Sequence, residues 1–96
     1  MSDEFADDAL MMAARLGMEA ESFIAGNLGR HIIARAEREI EQAYKELAIV
    51  DADNASQVRE LQKQIGIARA VPIWLAEAIA EGHQAEAQIR EEESEG

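Results

Sequence analysis

The chain has no cysteine and no threonine, and it holds one proline, one tryptophan, one tyrosine and two phenylalanines. Without cysteine there is no disulfide framework and no thiolate metal site, so nothing in the residues calls for an oxidising compartment. No stretch approaches the roughly 20 apolar residues that cross a bilayer. The opening MSDEFADDALMM begins with acids rather than a basic segment followed by an apolar run, and so does not resemble a secretory signal. Basic residues are also scarce, 9 Lys and Arg against 20 Asp and Glu, a formal net charge of -11. That imbalance argues against ordinary nucleic-acid binding, which needs a basic footprint to neutralise phosphates.

What is present favours helix. Alanine supplies 19 of the 96 residues and glutamate 15, a mixture of strong helix formers with few β-branched positions outside the presumed helix faces. The expected fold is all-α, one helical domain over residues 1–96. The charge is unevenly placed: residues 1–25 carry six acids and one arginine, residues 76–96 carry seven acids and one arginine, and the stretch between is balanced. Residues 1–3 and 84–96 are expected to be flexible acidic ends.

Phe5, Ala9, Met12 and Leu16 recur at helical spacing, which predicts a short amphipathic helix over 4–16 starting near Ser2 or Asp3. Asp3, Glu4, Asp7 and Asp8 suit its positive end. Gly17 is expected to weaken or close it, and a second short helix to run from Met18 to Ile24 on Phe23 and Ile24. AGNLG at 25–29 reads as a turn, with glycines tolerating unusual backbone angles and Asn27 able to cap. Then Ile33, Ala36, Ile40, Ala43, Leu47 and Val50 alternate at intervals of three and four, a coiled-coil-like seam. Arg35 with Glu39 and Glu41 with Lys45 are opposite charges at i,i+4. DADNAS at 51–56 separates this helix from the next, with Asn54 and Gln57 forming a capping box. Val58, Leu61, Ile65, Ala68, Pro72, Leu75 and Ile79 continue the spacing, so the two long helices are expected to fold back as an antiparallel hairpin.

IARAVPIWLAEAIAEG, residues 67–82, concentrates the unusual residues. Proline at 72 cannot donate a hydrogen bond to the carbonyl of Ala68, and its ring crowds that turn. Val71 makes a poor cap for a new helix, which favours a kink near Pro72 over a break. Beyond the kink Ile73, Trp74, Leu75, Ala78 and Ile79 form an apolar face too broad for one seam. Trp74 has two places to go, the core of its own chain or an interface with another. Gly82 is expected to end the ordered part.

The chemistry-bearing inventory is thin. His31 follows the glycine turn and reads as a polar side chain at a helix start, and His83 suits a helix C-terminus. DADN superficially matches the start of a calcium loop but fails it, since Ser56 and Gln62 stand where glycine and glutamate are required. GNLGR lacks the following Lys and Ser or Thr of a phosphate loop, and no strand precedes it. His31, Glu37 and Glu41 make no metal motif. Tyr44 lies beside the main seam and reads as an interface edge. No catalytic residue, cofactor-binding residue or metal ligand is assigned. The residues expected to carry function are interface residues: Ile33, Ile40, Tyr44, Leu47, Leu61, Ile65, Ile73, Trp74, Leu75 and Ile79.

The segments GNLGRHIIARAEREIEQA, ELAIVDADNASQVRELQKQI and IWLAEAIAEG resemble small helical proteins of tailed phages and prophages, over about residues 23–82. Ala52 stands where that pattern carries a proline in the acidic turn. The resemblance implies a helical protein in the host cytoplasm or the virion and brings no assigned activity. Together with the long seams it implies a noncatalytic, self-associating protein for phage assembly or host interaction, a homodimer or higher homo-oligomer contacting a phage structural or basic host protein. The other reading is an acidic DNA mimic that inhibits a nucleic-acid-binding host protein.

Overall fold

The computed structural model describes residues 2–95, and the side chains of residues 7–94. Three helices account for almost all of it: α1 (Ser2–Ala25), α2 (Asn27–Ile49) and α3 (Ala55–Glu95). At about 1.5 Å per residue the 41 residues of α3 span about 60 Å. That length matches the 63 Å long axis of the molecule. The shorter α1 and α2 lie end to end along it, both antiparallel to α3. Gly17 of α1 meets Gly82, Met11 shares a groove with Ile89, and Ala43 of α2 packs with Leu61 and Ile65. The chain is therefore a hairpin of its full length, with one continuous arm and one arm broken at Gly26.

Burial follows the three-four spacing. On α3 the positions Leu61, Ile65, Ala68, Pro72, Leu75, Ile79, Gly82, Glu86 and Ile89 are all buried or half-buried. On α2 the same holds for Gly29, Ile33, Ala36, Ile40, Ala43, Leu47 and Val50. These two runs are the stripes that heptad spacing keeps on one side of a helix. Leu61 is the largest fully buried side chain, and its transfer from water is worth about 2 to 3 kcal/mol.

The hairpin loop is built by local polar bonds. The Asp53 N–H donates to Asp51 Oδ1 (3.0 Å), and Asn54 Oδ1 accepts from the Gln57 N–H (3.2 Å) to cap α3. The capping box is one-sided, because the Asn54 N–H donates to the Asp51 carbonyl (2.9 Å) instead of to the Gln57 side chain. Arg35 pairs with Glu39 (3.2 Å) and Lys45 with Glu41 (3.3 Å) on the solvated face of α2.

Several expectations are corrected. The short N-terminal helices are a single helix of 24 residues, and Gly17 lies inside it. A mid-helix glycine costs only about 1 kcal/mol, which the contact with Gly82 offsets. The expected turn at 25–29 shrinks to Gly26, whose φ of -80° and ψ of 167° are extended; Gly26, rather than Asn27, is the N-cap of α2. No described glycine has positive φ, so these glycines serve space rather than backbone freedom. At Gly29 a Cβ would collide with the carbonyl oxygen of Phe23 where α1 hands over to α2. Likewise α3 passes through both Pro72 and Gly82 without interruption and continues to Glu95. A break at Pro72 is thereby excluded.

The expected face of the first helix is also reversed. Met12 and Leu16 are about half exposed and Ala9 is exposed, whereas Leu10, Ala13, Gly17, Ala20 and Ile24 are buried or half-buried. The side chain of Phe5 lies outside the described residues. The cause is the approach at Gly17 and Gly82: a Cβ on Gly17 would stand 2.9 Å from Gly82 Cα and 3.0 Å from the Ala78 carbonyl oxygen. Backbones this close leave room at the crossing only for small side chains, and the large ones beside it, Met11, Met12, Leu16 and Met18, are exposed.

Candidate interaction surfaces

The elongated shape leaves much surface uncovered. The radius of gyration is 19.3 Å, where a compact domain of this length has about 12 to 13 Å. The accessible surface is 7381 Å², against about 5,500 Å² for a compact monomer of this mass. The excess is comparable to the total area buried in a standard protein–protein interface, about 1,600 Å².

The two long edges of the rod differ. Along one edge α3 is cross-linked to its neighbours by polar contacts. Arg69 donates to the Tyr44 hydroxyl and lies over the same ring, 5.5 Å from its centroid. His83 Nε2 meets Glu21 Oε1 at 2.6 Å, an ion pair when the imidazole is protonated. Arg69 and His83 are two heptads apart, so both contacts fall on the same side of α3. The other edge carries Ile67, Val71 and Trp74, at i, i+4 and i+7 on one strip of α3. All three are exposed, Trp74 at 64%. Beside Ile67 a groove of about 380 Å³ is lined by Glu39, Gln42 and Glu46 of α2. Ile67, Val71 and Trp74 thus form a row of large apolar side chains exposed to solvent.

Among the residues singled out in the sequence, Leu61 and Ile65 are buried in the seam between α2 and α3, with Ile40 and Leu47 half-buried against them. Ile33, Leu75 and Ile79 are half-buried. Tyr44, Ile73 and Trp74 are exposed, so Trp74 does not occupy the core of its own chain. Sequence spacing missed the outward methionines. Met11 and Met18, one heptad apart on α1, line an open groove of about 690 Å³ with Ala14 and with Ile89 of α3. No local signal marked them, because the close packing of Gly17 with Gly82 beside them joins residues far apart in the chain.

No cluster of three or more His, Cys, Asp or Glu residues that could hold a metal occurs among the described residues. His31 is exposed on α2. No helix among the described residues is long and apolar enough to cross a membrane. Charge follows the fold: the acidic segments 2–25 and 76–95 come together along α1 and the C-terminal half of α3, while α2, the acidic loop 50–54 and the rest of α3 are neutral in sum. Comparison with protein-family models, with curated proteins and with solved structures finds no significant match.

Proposed function

We propose that this chain is a noncatalytic helical protein that self-associates and acts through protein–protein contacts. The observation that carries the reading is the uncovered strip of Ile67, Val71 and Trp74 on a rod with a large excess of exposed surface. A two-fold pairing of these strips covers Trp74 and adds helices to a bundle. Pairing through the neutral half keeps the two acidic halves apart. A bend at Pro72, one residue from Val71 and two from Trp74, shapes the strip and sets the angle of pairing. The resemblance to small helical proteins of tailed phages and prophages supports a role for this assembly in phage assembly or host interaction.

Light scattering over a range of concentrations tests the reading. A dimer or larger species is expected, and Trp74→Glu is expected to return it to monomer mass with helicity unchanged. Monomer mass at every concentration would overturn it. The gathering of the acidic segments on one half favours the second reading, a DNA mimic. Competition by duplex DNA for a captured host protein would support mimicry.

A further inference from the structure

The groove on the acidic half is separate from the Trp74 strip and has a different character. Its floor is apolar: Met11, Ala14 and Met18 stand at i, i+3 and i+7 on α1, and Ile89 faces them from α3. Met11 is 56% and Met18 61% exposed, a large outlay of unbranched apolar side chain. Methionine fits varied partners because its thioether stem is flexible and polarisable, and it recurs on surfaces that receive helices. The rim is mostly acidic. Glu19 and Glu93 border the groove, and a smaller groove of about 290 Å³ continues it past Met11 and Ile89 to Asp7 and Glu92. Arg15 is the single cation in the lining.

We infer that this groove receives the apolar face of a basic amphipathic helix from a partner protein. An incoming helix lying along α1 and α3 completes a three-helix unit and covers Met11 and Met18 with its own apolar stripe. Its Lys and Arg residues meet the acidic rim, and the field of a half that carries the whole net charge steers the approach. Two other occupants fit poorly. A second copy offers either an acidic half or a half in which Lys and Arg are balanced by acids. Nucleic acid has the wrong sign.

The test titrates the full chain with a fluorescent synthetic helix of about 18 residues, Leu on one face and Lys on the other, read by anisotropy. Two control peptides carry Glu for Lys, or the same residues scrambled to remove the apolar stripe. Binding of the basic amphipathic peptide alone is expected, weaker at high salt. The double variant Met11→Ser and Met18→Ser is expected to weaken it about tenfold or more, since two exposed side chains lose their apolar burial without disturbing the seam. Trp74→Glu is expected to leave the affinity unchanged, so failure here and failure of self-association are read separately. Equal binding of the scrambled peptide, indifference to the methionine double variant, or no binding would each overturn the proposal.

Discussion

The two halves of the rod solve the same packing problem in opposite ways. Between α2 and α3 the large side chains are inside: Leu61 and Ile65 pack with Ala43, and Ile40, Leu47 and Val50 lean against them. Where α1 and α3 approach most closely the small ones are inside, with Gly17 against Gly82 and buried Ala20 and Ala85 nearby, and the half-buried Leu10 and Ile24 stand two turns away on either side of Gly17. The first half gains stability by removing apolar side chains from water. The second gains it from close backbone approach and dispersion, and its methionines stay exposed. The same contrast appears in charge, since the first half is neutral and the second carries the full -11. The difference teaches that a well-packed seam and an apolar surface are linked: where glycine brings helices together, bulk moves to the flanks and becomes available to partners.

Substitutions can break this contrast, beginning with the largest effect. Leu61→Ala removes the one large side chain that is fully buried among the described residues and is expected to cost about 3 to 4 kcal/mol in urea denaturation. Gly82→Leu forces a branched side chain against Gly17 Cα and the Ala13 carbonyl oxygen. It is expected to cost about 3 kcal/mol and to release α1, seen as loss of amide exchange protection in 7–25 while 35–65 stays protected. If both halves open together, the two seams form one cooperative unit and the contrast is only geometric.

Smaller changes sharpen the contrast. Asn54→Ala removes the cap of α3 and is expected to cost about 1 kcal/mol in the neutral half, leaving protection of α1 unchanged. Trp74→Ala, at 64% exposure, is expected to cost less than about 1 kcal/mol in the monomer while abolishing self-association. A loss of several kcal/mol there would place the indole in the core. His83→Gln, which removes an exposed pair with Glu21, is expected to change stability by no more than about 0.5 kcal/mol.

How much was legible differs by segment. The stripe from Leu61 to Ile79 could be read because its spacing and its large side chains agree, and α2 could be read for the same reason. In α1 the two cues conflict. Phe5, Ala9, Met12 and Leu16 make one helical stripe, and Leu10, Ala13, Gly17, Ala20 and Ile24 make another. Hydrophobic size favours the first, and the structure uses the second. The glycines misled for a related reason. Gly17 and Gly82 read as helix ends, yet each lies inside a helix opposite the other, a pairing between residues far apart in the chain. For Trp74 the apolar face was visible in advance, but its exposure depended on which side of α3 the other two helices cover.

The amino-acid sequence by itself determined that this protein is helical, where its loop to α3 lies, and which stripes of α2 and α3 are buried, because helix propensity, capping and three-four spacing act within a few turns of chain. Only the tertiary structure decided which face of α1 is inside, that Gly17 and Gly82 pack rather than terminate, and that two acidic segments from opposite ends of the chain share one half of the rod. Each of these depends on the register between two helices, and the distance at which helices pack belongs to the pair of surfaces in contact rather than to either strand of residues alone.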